Sequence, residues 1–163
     1  MAIQVYPSMP RHPVAYGSYS DSTSQSLATT TVTYVKFNTV EAQQFVSVQN
    51  DGSGNPTKIV VQMSGLYSFT LSPQLIQGAG GATDVDFWAV VNGTAVPRSA
   101  SRVSLPNNVE VLPYIELILQ MSTGDALQWA FYTLGTGVSI YSLAAAPPVP
   151  AAPSVIAGVK QIE

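Results

Sequence analysis

Few residues in this chain of 163 have the chemistry to act as catalysts. His12 is the single histidine and cysteine is absent, so neither a thiolate metal site nor a disulfide framework can form. A Ser-His-Asp relay would have to recruit His12 from a segment broken by Pro7, Pro10 and Pro13. The Gly-x-Ser-x-Gly turn that presents a serine nucleophile is missing, and MSGLY (63–67) holds only half of it. Carboxylates remain. Asp84 and Asp86, two residues apart, share one face of a strand and could contribute to a Ca²⁺ site. Such a site needs roughly six to eight oxygen ligands, and without more of them nearby the pair reads as solvated acids at a loop edge. Glu110, Glu116 and Asp125 are too dispersed to form an acid/base pair. The glycine-rich GAGGAT (78–83) opens no helix and lacks the Lys-Ser/Thr of a phosphate-binding loop, so it reads as an inter-strand loop. The expectation is a protein that is not an enzyme, with no catalytic residue, cofactor or metal.

Composition points elsewhere. Charged residues make up 9% of the chain, against about 25% in an average soluble domain. Hydrophobic residues make up 46%, yet no apolar run approaches the roughly 20 residues of a membrane span. A surface so poor in charge has few defences against association, which predicts a homo-oligomer or a lattice member. The six Lys and Arg residues are scattered and the net charge is −3. With no basic stripe to neutralise phosphates, direct nucleic-acid binding is not expected. The opening MAIQVYPSMPRHP shows no charged region followed by an apolar one, so no secretory signal is expected.

The elements read as strands. An extended, proline-broken arm is predicted over 1–15, with a strand near 14–20. TVTYVKFN (31–38) alternates, FVSVQ (45–49) follows, and NDGSGNP (50–56) is a strong turn signal. KIVVQM (58–63) is closed by Ser64-Gly65, and LYSFTLSPQL (66–75) alternates again. VDFWAVV (85–91) runs into Asn92-Gly93, a two-residue hairpin signal, because both residues tolerate positive φ. With Thr94 the same residues spell a glycosylation signal, which loses its support without a secretory segment. A long strand is predicted over 111–121, with Val111, Ile115, Leu117, Leu119 and Met121 on one face. Steps of two rather than three and four, and Pro113 near its start, exclude a helix there. Gly124-Asp125 turns it into ALQWAFY (126–132), and VSIYSL (138–143) follows. AAAPPVPAAP (144–153) reads as a connector near polyproline II before a last strand at 154–162. Short strands at regular spacing with Gly, Pro and Asn turns describe an all-β sandwich in one domain, 16–163, with no significant helix.

LILQMSTGDALQWAF (117–131) pairs an apolar strand, a Gly-Asp turn and a second apolar strand. In that it resembles the hairpin joining the last long strands of the tumour-necrosis-factor (TNF) and complement-C1q group of jelly rolls. SGLYSFTLSPQL (64–75), with Gly65, is similar to that group's Gly-x-Tyr-x-Phe strand. DFWAVVNGTAVP (86–97) resembles its next strand and hairpin, and PSVIAGVKQIE (153–163) its closing strand. The likeness is closer to jelly-roll proteins of tailed marine phages and large algal DNA viruses, through YGSYSDSTSQ (16–25), KIVVQMSGLYSF (58–69), WAVVNGTAVPRS (88–99) and PSVIAGVKQI (153–162). The resemblance covers 16–163 and makes Gly65, Asn92, Gly93, Gly124 and Asp125 its signature.

The resemblance implies a single jelly-roll sandwich forming a trimer, or sometimes a pentamer, in a virion assembled in the host cytoplasm. The expected role is structural: a minor capsid, cement, decoration or vertex protein, touching other capsid proteins through its termini. An alternative is a fibre tip or knob that binds a host receptor or glycan through loops 50–56, 76–84 and 134–137. A secreted C1q-like module is disfavoured by the missing signal and the missing Gly-x-y repeat. Alternation and neighbouring strands suggest Tyr114, Glu116, Gln120, Tyr132 and Tyr141 as a subunit interface, since aromatic residues are favoured anchors there.

Overall fold

Period-two alternation becomes strands throughout residues 13–163, which the computed structural model describes. In chain order they are β1 (Tyr16–Asp21), β2 (Gln25–Ser26), β3 (Thr33–Tyr34), β4 (Thr39–Gln44), β5 (Val46–Asn50), β6 (Pro56–Val61), β7 (Gly65–Pro73) and β8 (Leu75–Gln77). The second half supplies β9 (Thr83–Val91), β10 (Thr94–Ala95), β11 (Ser101–Leu105), β12 (Glu110–Val111), β13 (Ile115–Met121), β14 (Ala126–Thr133), β15 (Val138–Ile140) and β16 (Val155–Gln161). No helix occurs among the described residues. A five-stranded sheet has the order β13-β7-β16-β1-β4, so the last long strand lies between the first and the seventh. A seven-stranded sheet runs β10-β9-β14-β6-β5, with β11 on β9 and β3 on β14. A small sheet, β12-β8-β15-β2, extends one end.

The core is the set of inward residues that alternation singles out. Tyr19, Tyr67, Phe69, Leu71, Ala157 and Val159 from the first sheet meet Ile59, Val61, Phe87, Leu127, Trp129 and Phe131 from the second, all buried. Phe87 and Phe131, paired across β9 and β14, meet edge to face with centroids 4.4 Å apart. Burying each such side chain stabilises by about 1.5–3 kcal/mol. Against this, the buried Trp129 Nε1 has no hydrogen-bond partner.

Several expectations are corrected. The predicted strand 111–121 is broken: Glu110–Val111 pairs with β8 in the small sheet, while Ile115–Met121 pairs with β7. Pro113 stands in the break and has no N–H for a ladder. Because β13 is an edge strand, Leu117 and Leu119 are only half-buried. The stretch 31–38 reaches a ladder only at Thr33–Tyr34, and then follows the sheet by single bonds, Val35 N to Trp129 O (3.0 Å) and Phe37 N to Pro56 O (2.9 Å). The connector 144–153 is no extended polyproline segment. It doubles back, with Leu143 and Ala152 exchanging backbone bonds of 3.0 Å and Ala146 and Val149 bonds of 3.0 and 2.9 Å around a cis Pro147–Pro148 peptide. Edge strand β4 was not expected: TVEAQQ (39–44) offers only Val40 and Ala42 as apolar residues, and it is exposed almost throughout. The predicted arm 1–15 falls mostly outside the described residues; of its last part, Ala15 is buried and accepts from Gln161 N (2.8 Å).

Candidate functional site

The signature residues form one cluster at an end of the sandwich. Asn92 and Gly93 have φ of 51° and 82°, the positive pair of a two-residue hairpin whose twist matches the strands. Their ladder resumes with Thr94 opposite Val91. Gly124, with φ of 89°, shapes the 122–125 turn and donates its N–H to Val61 O (2.8 Å). Asp125 then joins the two turns. Its Oδ2 accepts from Ser122 N (2.7 Å), and its Oδ1 accepts from Asn92 Nδ2 (2.7 Å). Asn92 Oδ1 in turn accepts from Ala126 N (2.9 Å). The Ser122 N–H and the Asn92 amide hold the Asp125 carboxyl below its ordinary value. Nothing in the sequence linked Asn-Gly to Gly-Asp, because the tie crosses 33 residues. Gly65 serves differently: a Cβ there would collide with the Glu163 carbonyl and the Gln161 amide, so the last strand passes too close for a side chain.

The proposed interface residues do not share one surface. Glu116 and Gln120 do lie together on the outer face of the five-stranded sheet, with Ile118 between them and Tyr114 just before the strand. Rungs run across this face, Ile118–Ser68–Lys160–Tyr16 and Glu116–Thr70–Gly158–Ser18. Large apolar side chains stand open on it and at its strand ends: Ile118 is 58% exposed, Ile156 52% and Tyr16 42% on the strands, and Tyr114 66% and Ile162 49% just beyond them. Glu116 accepts from Ser68 Oγ (2.7 Å), and Glu41 from Ser20 Oγ (2.8 Å) at the β4 edge. Tyr132, by contrast, belongs to the opposite sheet, where it pairs with Asp86. Tyr141 follows β15 in the small sheet, its N–H on Gln74 O (2.9 Å). Burial and the neighbouring Glu110 push its phenol up to about 12. Alternation assigns each residue a face of its own strand, but sheet membership is a matter of long-range pairing.

On the outer face of the seven-stranded sheet lies a groove of about 450 Å³, lined among others by Asp84, Asp86, Arg102, Ser104, Tyr132 and Leu134. Register builds it: Tyr132 faces Asp86, Asp86 faces Arg102, and Asp84 faces Ser104. Arg102 grips both oxygens of Asp86, Nε to Oδ1 at 2.7 Å and Nη2 to Oδ2 at 2.8 Å. Ser104 Oγ donates to Asp84 Oδ1 (2.6 Å). Arg102 accordingly lowers the Asp86 pKa and has its own raised. Both acids are thus tied to β11, Asp86 to Arg102 and Asp84 to Ser104, while lying on the exposed face of the sheet. Among the described residues no group of three or more His, Cys, Asp and Glu could hold a metal. Arg102 and Ser104 share the two-residue spacing of Asp86 and Asp84, and the antiparallel pairing of β11 with β9 sets them opposite.

Of the three loops expected to offer a recognition surface, two touch each other. Gly78 N donates to Gly137 O (3.1 Å), and a Cβ on Gly137 would lie 2.8 Å from the Ala79 carbonyl. The 50–56 loop instead closes on itself, Asp51 Oδ1 accepting from Ser53 N (2.8 Å) and Asn55 N (2.9 Å). It shares a shallow pocket with Val32, Thr33, Tyr34 and Lys36.

No protein-family model matches the chain, and no curated protein matches its sequence. Solved structures do. Murine APRIL at pH 5.0 superimposes with a TM-score of 0.58 at 10% identity, covering 92% of this chain and 100% of that one. The same protein at pH 8.5 gives 0.55 at 10% identity with the same coverage. The globular domain of zebrafish complement 1qA gives 0.53 at 10% identity, covering 91% of this chain and 98% of that one. With first and last long strands paired in one sheet and the Gly-Asp turn carrying the chain from β13 across to β14 in the other, the chain has the jelly-roll fold of TNF and C1q-type domains.

Proposed function

We propose that this jelly roll is a structural part of a virus particle, a capsid-associated minor capsid, cement, decoration or vertex protein, and that it assembles as a symmetric homo-oligomer. The observation that carries the reading is the outer face of the five-stranded sheet. Tyr114, Ile118, Ile156, Ile162 and Tyr16 stand exposed there, in a chain whose surface carries few charges to repel a neighbour. Exposed apolar side chains gathered on one face, here set among Ser68, Thr70 and Lys160, mark a candidate association site. A trimer is the assembly that the TNF and C1q resemblance implies, with a pentamer the other closed ring. The virion is supported by the viral motifs at 16–25, 58–69, 88–99 and 153–162. The role is assembly rather than catalysis. Sedimentation at micromolar concentration should show a discrete oligomer, and Ile118→Lys, which places a charge on the β13 edge strand of that face, should shift it to monomer without lowering strand content. A monomeric parent protein, together with its absence from purified particles by mass spectrometry, would overturn the proposal.

A second reading, recognition of a host receptor or glycan, is favoured by one observation. The 78–82 and 134–137 loops are tied to each other beside the groove formed by Asp84, Asp86, Arg102 and Tyr132.

A further inference from the structure

We propose that the groove on the seven-stranded sheet is a binding site for a neutral saccharide. This deepens the recognition reading and rests on it. The groove, at about 450 Å³, is within the roughly 300–1,000 Å³ range of small-ligand sites. Its polar groups come from strands rather than loops, so they are held in place before a ligand arrives. Arg102 is clamped by two bonds to Asp86 and Asp84 is fixed by Ser104. That arrangement leaves two groups open side by side: Asp84 Oδ2, which faces Arg102 Nη1 at 3.7 Å, and the N–H groups of that Nη1. An acceptor beside a donor is what adjacent sugar hydroxyls require, since each hydroxyl both donates and accepts.

The remaining lining supplies the other half of sugar recognition. Tyr132 borders the polar row, while Pro106 and the 68%-exposed Leu134 add apolar surface. Such a surface suits the C–H face of a pyranose, as an aromatic ring pairs an apolar body with a polar tip. Charge narrows the ligand further. Two carboxylates and one guanidinium sum to one negative charge, −1 −1 +1, which disfavours phosphates and acidic sugars. Because Arg102 neutralises Asp86, no concentrated charge remains for a metal ion.

The test uses the oligomer as purified, probed on an array of neutral and sialylated glycans, with hits titrated by calorimetry. Neutral glycans should bind. Tyr132→Ala and Asp84→Asn should each weaken them about tenfold or more, the effect of losing one stacking face or one buried-ligand hydrogen bond. Tyr132→Phe keeps the ring and should retain binding, which separates stacking from a general disturbance of the fold. Preference for sialylated glycans would overturn the proposal. Hits that survive both Tyr132→Ala and Asp84→Asn would overturn the groove while leaving recognition in place. An array with no hits would overturn the groove and glycan recognition together.

Discussion

Replacing Asn92 by alanine removes distinct contributions that can be separated. Asn92 sits at φ of 51°, and an alanine forced into that left-handed region costs about 1 kcal/mol. The substitution also deletes the bonds from Nδ2 to Asp125 (2.7 Å) and from Ala126 N to Oδ1 (2.9 Å). Each is solvent-exposed and so contributes toward the low end of the usual range, about 0.5 kcal/mol. The expected total is about 2 kcal/mol. Asn92→Gly keeps the backbone freedom and loses only the bonds, so it should cost about 1 kcal/mol. For a domain of this size 1 kcal/mol moves the melting temperature by roughly 2–4 °C. Urea denaturation at one fixed protein concentration is the appropriate assay, because oligomerisation makes apparent stability concentration-dependent. Adding Asp125→Ala completes a double-mutant cycle with Asn92→Gly, and the shared bond should appear as a coupling of about 0.5 kcal/mol. The reasoning fails if glycine costs as much as alanine at position 92, or if the two sites prove additive.

Two further outcomes follow from the same end of the molecule and from the ion pair. Gly93→Val should destabilise by roughly 1 kcal/mol or more through its φ of 82° alone, since a Cβ there meets nothing within 4 Å; Gly93→Asn, tolerant of that region, should cost visibly less in the same thermal melts. Acid titration should show a defined loss of stability. Asp125, held by Ser122 N–H and Asn92, and Asp86, held by Arg102, both have folded pKa values below the ordinary 3.8. Their contribution is fully present above that value and is lost as pH falls through the folded pKa. Melting temperature should thus stay level from neutrality to about pH 4 and fall below it, with a shallower fall in Asp125→Asn.

Much of the fold was legible because the strands alternate and their turns are spelled in Gly, Asn and Asp. Asn92-Gly93 marked its hairpin, Gly124-Asp125 its turn, and the inward Leu127, Trp129 and Phe131 are buried as their spacing implied. What stayed hidden depends on contacts distant in sequence. Val111 and Ile115 look like one strand until pairing sends them to different sheets. Tyr132 and Glu116 obey the same alternation, yet lie on opposite sheets. β4 escaped notice because an exposed edge has no buried face to impose a pattern. The groove was half visible: Asp84 and Asp86 stood out, but their partners Arg102 and Ser104 acquire meaning only once β11 is laid against β9.

The joined turns also bear on how the molecule ages. An asparagine followed by glycine is the pair most prone to deamidation, because the unhindered glycine nitrogen can attack the side-chain amide carbon and expel ammonia through a succinimide. In this protein that amide is occupied on both sides, its nitrogen by Asp125 and its oxygen by the Ala126 N–H. Ring closure must first break those bonds and swing the group away from the neighbouring turn. Damage at Asn92 therefore proceeds through the opened hairpin and leaves a carboxylate beside Asp125, where it repels. At a given age and pH, the ratio of altered to intact chains should therefore rise when those two bonds are weakened, as in Asp125→Ala.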